Sequence, residues 1–233
     1  MNNNIILITG VSRGIGQYLC KYYISKGMIV VGCSRSELNF SHPNFHHIQT
    51  DITIEKNIIE IFKMVKSKFG RLDILINNAA INPTIISAAL LRSETILNTF
   101  NTNVFSVMLI CKEAIKMMSR KKKGRIINIG SMAIKHEVEG EALYTSTKTA
   151  LLSYSRVLAK EVHKSNITVN VVSPSIIKTD LSSQIDPIAI ENILRRNAIQ
   201  GYGKFEDLSN VIDFLISENS FTITGQHIYL GGV

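Results

Sequence analysis

Two apolar patterns alternate along the chain. Short runs such as "IILIT" at 5–9 and "ILIN" at 74–77 are nearly unbroken apolar stretches. A strand of this kind has no polar face to show to water, so it belongs in a parallel sheet covered on both sides. Similar runs at 29–33, 46–49, 125–129, 168–172 and 227–230 predict further strands. Between them lie longer segments whose polar and apolar positions mix with helical spacing, at 14–25, 54–69, 94–118, 142–163 and 205–216. Strand followed by helix, repeated along the chain, predicts an α/β fold: a doubly wound parallel sheet of about seven strands with helices on both faces. No linker-like break interrupts the pattern, so residues 1–233 read as a single domain. In such sheets the ligand crevice lies outside the carboxyl ends of the strands, so the chemistry is expected on residues just after them.

Composition adds bounds. With 233 residues, 45% apolar and 19% charged, the chain has the makeup of a well-buried globular body and not of a disordered one. The start, "MNNNIILITG", has no basic leader region and an apolar run too short for a membrane span, so a cytoplasmic location is expected. Cys20, Cys33 and Cys111 sit far apart in apolar stretches, which suits buried free thiols; neither disulfides nor a metal are expected. The net charge of +8 is densest from Arg120 to Lys123, at the end of a predicted helix, where cations favour the helix dipole. No aromatic residues are interleaved with it and no DNA-binding motif is present, so nucleic acid is not an expected partner.

After the first predicted strand comes Thr9-Gly10-Val11-Ser12-Arg13-Gly14-Ile15-Gly16. Glycines at this point allow a tight turn and let backbone N–H groups approach a pyrophosphate at a helix N-terminus. The spacing G-x-x-x-G-x-G resembles that of the short-chain dehydrogenases/reductases, a Rossmann-type family. From here the resemblance covers nearly the whole chain. Asn77-Asn78-Ala79-Ala80 is similar to the family's Asn-Asn-Ala-Gly after the fourth strand. Ser131 follows the fifth strand, Tyr144 comes thirteen positions later, and Lys148 four after that, as in the family's Ser and Tyr-x-x-x-Lys constellation. Asn103 in "NTNVFS" matches a fourth catalytic position, and "PSIIKT", from Pro174 to Thr179, resembles the nicotinamide clamp. The phrases "GRIINIGS", "ITVNVVSP" and "ITGQHIYLGG" look most like the 3-oxoacyl-acyl-carrier-protein reductases. Three positions depart from the pattern: Ala80, Ser106 and Ser175 stand where the family has glycine. Ala80 therefore either sits in ordinary backbone space or marks an altered loop.

The resemblance implies reversible hydride transfer between a nicotinamide and a carbonyl carbon. Tyr144 would act as the acid and Lys148 as the cation that lowers its pKa and holds the nicotinamide ribose. Ser131 would bond the carbonyl oxygen, while Asn103 would hold a helix carbonyl and a water that relays protons to Lys148. The expected cofactor contacts are Gly10, Ser12, Arg13, Gly14, Ile15, Gly16, Arg35, Asp51, Ile52, Asn77, Ala79, Tyr144, Lys148, Pro174, Ile177 and Thr179. No acidic residue stands near Ser34 at the end of the second strand, and Arg35 and Arg13 offer donors for a 2′-phosphate, which favours NADP(H) over NAD(H). Asp51 resembles the adenine contact, with a helix N-cap as the other reading.

The substrate is less defined. A 3-oxoacyl thioester on a carrier protein is the leading expectation, with the basic cluster from Arg120 to Lys123 placed near the crevice as its docking site. A sugar, polyol or other small ketone is the alternative, and a non-catalytic dinucleotide sensor the remote one. A substrate lid is expected at 181–203, with a helix starting at Asp186-Pro187, and His136 and Glu137 are candidate specificity residues. By resemblance the chain forms a homotetramer, or a dimer.

Overall fold

The computed structural model describes residues 4–83, 85–179, 182 and 187–232. Seven strands form one sheet in the order β3-β2-β1-β4-β5-β6-β7, every neighbouring pair parallel. They are β1 (Ile5–Thr9), β2 (Ile29–Ser34), β3 (Phe45–Gln49), β4 (Ile74–Asn77), β5 (Gly124–Ile129), β6 (Ile167–Ser173) and β7 (His227–Tyr229). All seven predicted strands are present, with ends shifted by one residue at most.

The alternation of side chains explains why the runs carry no polar face. Ile5 and Leu7 of β1 point into one core with Leu75 of β4 and Ile126 of β5, while Ile6 and Ile8 point into a second core with Ile74, Ile76 and Ile127. Helices α1 (Gly14–Ser25) and α8 (Phe205–Ile216) cover the second core. Helices α2 (Glu55–Phe69), α4 (Ser106–Lys121) and α6 (Ala142–Val162) cover the first. In α2 the buried residues Ile58, Ile61, Phe62 and Val65 follow helical spacing, and Gly70 closes the helix with φ of 67°. All three cysteines are buried, Cys33 and Cys111 in the first core and Cys20 in the second.

The long predicted helix 94–118 is not regular. It is built as α3 (Ser93–Phe100), a π turn at Asn101–Phe105, and then α4. In the π turn Ser106 N donates to Asn101 O, one residue beyond the usual reach. Short α5 (Ala133–His136) follows β5, and α7 (Pro187–Arg195) begins at the predicted proline. The proposed lid 181–203 lies partly outside the described residues, as does Asp186.

Gly16 packs α1 against the switch between β1 and β4. A Cβ there would overlap the Gly10 carbonyl oxygen and press on the Asn78 amide, whereas one on Gly70 would meet nothing within 4 Å. We expect Gly16→Ala to destabilise the chain by about 3 kcal/mol. Gly70→Ala should cost about 1 kcal/mol, from its left-handed backbone alone. Urea unfolding midpoints of the two variants check the order, and equal shifts would contradict it.

Candidate active site

The order of the strands reverses between β1 and β4, and the segments that follow these strands are bonded together. Asn78 N and Ala79 N both donate to Thr9 Oγ1 at 3.0 Å, and Asn78 Nδ2 donates to Thr9 O at 2.9 Å and Gly10 O at 3.1 Å. Gly10 has φ of 74°, and a Cβ on it would lie 2.9 Å from Ala79 Cα. Only glycine fits this turn.

A cavity of about 630 Å³ opens at this point. Towards the β2 and β3 side it is lined by Gly10, Ser12, Arg13, Gly14, Ile15, Arg35, Asp51 and Ile52, and Ala79 lies on its wall at the switch. Towards β5 and β6 it meets Ser131, Tyr144, Lys148, Pro174, Ile177 and Thr179. Thr179 Cγ2 lies 3.4 Å from where a Cβ on Gly14 would stand, so the clamp segment faces the glycine loop across a narrow gap. A glycine-rich loop at a helix N-terminus, opening on a cavity long enough to run from β3 to β6, fits a dinucleotide.

Three predicted site residues do not line the cavity: Gly16, Asn77 and Asn103. Asn77 is buried beneath it, its Nδ2 donating to Asn128 Oδ1 at 2.8 Å and Cys111 Sγ at 3.3 Å. Its neighbour Asn78 is the cavity residue. Asn103 sits in the π turn, 1% exposed. Its Oδ1 accepts from Ile81 N at 2.9 Å, and its Nδ2 donates to Ile81 O at 2.8 Å and Thr147 Oγ1 at 3.1 Å. Thr147 in turn donates to Tyr144 O at 2.7 Å. The Asn103 amide thus clamps the segment after β4 to the helix that carries Tyr144, and the carbonyl it reaches is that of Ile81, outside any helix. Asp51 is not the N-cap of α2; Ile54 holds that position, and Asp51 Oδ1 accepts from Thr53 N and Thr53 Oγ1 at 2.8 Å.

Tyr144 and Lys148 are one helical turn apart on α6 and both buried. Lys148 Nζ donates to Ile129 O at 2.9 Å and lies 5.8 Å from the centre of the Tyr144 ring. Burial lowers the Lys148 ammonium from its ordinary 10.5 to about 8. Burial also pushes the Tyr144 phenol up to about 12; the Ser131 hydroxyl, bonded to it, pulls it down, and the charge of Glu141 adds to the rise. The Ser131 hydroxyl thus supplies a downward pull, while the Lys148 ammonium is turned to a backbone carbonyl. Tyr144 is held as a proton donor at neutral pH, beside a hydroxyl and an ammonium on one wall of the cavity.

The family model for short chain dehydrogenases matches residues 4–188. The chain belongs to that family. It is an oxidoreductase of this family, and it is 31% identical over 234 residues to the 3-oxoacyl-[acyl-carrier-protein] reductase of Escherichia coli (strain K12), covering 98% of this chain and 96% of the relative. The solved structure of ElxO with NADP bound superposes with a TM-score of 0.89 at 29% identity, covering 98% and 97% of the two chains. A short chain dehydrogenase from Leptospira borgpetersenii with bound NAD+ gives a TM-score of 0.89 at 26% identity, over 100% of this chain and 92% of the other.

Within this family member the three departures are accommodated locally. Positive φ is confined, among the described non-glycine residues, to Lys122, Glu137 and Asn166, so Ala80 sits in ordinary backbone space. Ser106 Oγ donates to Thr102 O at 2.6 Å at the end of the π turn, and Ser175 Oγ accepts from Asn197 Nδ2 at 3.1 Å. The basic cluster does not lie near the cavity as expected. It ends α4 and precedes β5, at the amino end of the sheet, because a helix in a βα unit runs back against its strands. There Lys123 pairs with Glu218 at 2.7 Å. His136 does line the cavity, but Glu137 does not. Glu37, Asn82 and Glu141 also line it and were not singled out from sequence. For Glu141 a signal existed: it stands three positions before Tyr144.

Lys148 is buried at a cost. Between pH 8 and 10.5 the unfolded chain holds a proton here that the folded one does not, so its stability contribution rises with pH through that window. Below it the fold carries the whole penalty. We expect Lys148→Met to raise the melting temperature of the cofactor-free chain at pH 7 by roughly 3 °C or more. The gain should shrink as the pH approaches 10.5, followed by calorimetry across that range.

Proposed function

We propose that this chain is an NADPH-dependent carbonyl reductase whose substrate is a 3-oxoacyl thioester of the acyl-carrier-protein type. The observation that carries the reading is Tyr144, Ser131 and Lys148 meeting on one wall of the cavity that begins at the glycine loop. When bound, the nicotinamide supplies a hydride to the carbonyl carbon. Tyr144 gives its phenolic proton to the oxygen as that oxygen becomes an alkoxide, and the Ser131 hydroxyl hydrogen-bonds the same oxygen. Lys148 would hold the ribose and keep positive charge beside the developing negative charge. Asn103 keeps α6 in place through Thr147 and so acts as a positioning residue.

Arg13 and Arg35 on the β2 side support a 2′-phosphate, as does the NADP-bound relative. Ser34, at the end of β2, shares a hydrogen bond with His47 Nε2 at 2.7 Å and donates to Ser36 O, so no carboxylate stands at that position. Glu37, also on the wall, is the one feature there that opposes it. The thioester is supported by the relative in Escherichia coli. For a carrier protein, the exposed cations at the substrate end include Lys135, Lys178, Arg195 and Arg196. A small polar ketone is the second reading, favoured by the buried carboxylate of Glu141 on the cavity wall.

NADPH oxidation is the test, run with acetoacetyl thioesters, carrier-protein conjugates, keto-sugars and simple ketones. Turnover of the thioesters is expected, and turnover confined to the sugars would reject them. Cofactor binding without reduction of any carbonyl would leave a sensor. Tyr144→Phe should lower kcat by about a thousandfold or more while NADPH affinity holds. Arg35→Asp should shift preference toward NADH, and an unchanged ratio would count against NADPH.

We also propose a homotetramer. Leu97, Phe105 and Val157 are about half exposed or more on α3, the π turn and α6, as a buried contact between copies requires. Light scattering should give four copies, and Leu97→Glu with Phe105→Glu should reduce that number.

A further inference from the structure

We propose that Glu141 is a specificity residue, whose carboxylate receives a hydrogen-bond donor carried by the substrate near the carbonyl that Tyr144 protonates. The inference rests on the carbonyl-reductase reading above and goes beyond it in naming a chemical feature of the substrate.

The short carboxylate of Asp suits a helix N-cap, and the longer one of Glu is free to reach elsewhere. Glu141 holds the N-cap position of α6, yet it makes no side-chain cap hydrogen bond. The residue is 6% exposed and lines the same cavity as Tyr144 and Ser131. Among the described residues its one side-chain partner is Asn82, whose Nδ2 reaches Oε1 at 3.4 Å, the long limit of a hydrogen bond. Asn82 belongs to the segment after β4, so the pair spans the cavity from two sides.

The surroundings offer no cation. Lys148 is turned to Ile129 O, and His136, also on the wall, shares its Nε2 with Asn197 Oδ1 at 3.0 Å while burial lowers its pKa. Among the described residues no Lys or Arg is paired with Glu141. Burial accordingly raises its own pKa. A carboxylate nine-tenths buried with one weak hydrogen bond is costly, and a ligand hydroxyl or ammonium offsets that cost. Gly140 fixes the position: its φ is 84°, its carbonyl accepts from Ile86 N at 3.1 Å, and its Cα packs on Ile85. The same carboxylate repels a substrate whose own carboxylate lies near the carbonyl.

The test compares four ketones of matched length: plain, hydroxyl-bearing, ammonium-bearing and carboxylate-bearing. Glu141→Gln is expected to lower kcat/KM about tenfold or more for the ammonium-bearing ketone and severalfold for the hydroxyl-bearing one. The plain ketone should change less than about twofold, and the carboxylate-bearing ketone should improve. Which of the two donor substrates loses more identifies the donor. The same change in all four would overturn the proposal in favour of a general effect on Tyr144 or on the fold, and no change in any would overturn it outright. If Glu141→Gln melts early, Asn82→Ala serves instead; with the carboxylate kept but its only partner gone, the preference for donors over the plain ketone should persist or grow, and its loss counts against the proposal. A wild-type chain that binds NADPH and reduces none of the four removes the carbonyl-reductase reading as well, whereas reduction with ratios indifferent to Glu141 removes this proposal alone.

Discussion

The site depends on the contact between the carboxyl ends of β1 and β4. Parallel strands whose connections lead away to opposite sides leave a gap at the point of reversal, and backbone groups there have lost their sheet partners. Asn78 fills that role, bonding Thr9 and Gly10 through both its backbone and its amide. With that stitch in place the glycine loop is held flat against Ala79, and Gly16 brings the start of α1 into contact with the same carbonyl. The cradle is thus made by backbone approach, and each side chain added to it would close it.

The other end of the cavity is governed by charge in a dry setting. Tyr144, Lys148 and Glu141 are all buried, and burial disfavours the charged form of each. Among the described residues each has a polar partner: Ser131 for the phenol, the Ile129 carbonyl for the ammonium, Asn82 for the carboxylate. These partners sit at the end of β5 or after β4 and β5, while the three ionisable groups sit on or next to α6. Their spacing therefore depends on how α6 is held against the strand ends, which is the work of Asn103. From the π turn its one amide reaches Ile81 and Thr147 together, and a regular helix would turn that side chain elsewhere.

Strands were legible in the sequence because two-sided burial leaves no room for polar residues, and the meeting of Ser131, Tyr144 and Lys148 on one cavity because their spacing places them after β5 and on one helical face. What escaped was set by single-residue offsets. Asn77 and Asn78 are the same residue type, and only the strand's end point decides which is under the sheet and which is in the crevice. The π turn inserts one residue into a helix whose apolar pattern hardly changes, so 94–118 reads as continuous. Glu141 looks like a cap until its missing cap bond is seen. Lys148 is a different case: its spacing to Tyr144 was right, but spacing does not show that its ammonium faces a carbonyl. The basic cluster from Arg120 to Lys123 was misplaced although topology alone excludes it from the crevice, since it lies before β5 and the site after it.

The replaced glycines bear on how the substrate wall differs from the cofactor wall. Ser175 bonds Asn197, Asn197 bonds His136, and Arg196 donates to the His136 carbonyl at 3.1 Å. The same segment is tied to the end of the chain, Ala198 N to Gly232 O and Ile199 N to Gly231 O, both at 2.8 Å. This wall is therefore held by side-chain and backbone bonds among three distant segments, whereas the glycine loop rests on close backbone packing at Gly10 and Gly16. Side chains at such positions can change without disturbing the sheet, but a Cβ on Gly10 or Gly16 cannot be added without moving a strand end. The substrate side of this chain therefore tolerates side-chain change that the glycine loop does not, and Glu141, to which we assign a role in substrate preference, lies on that side.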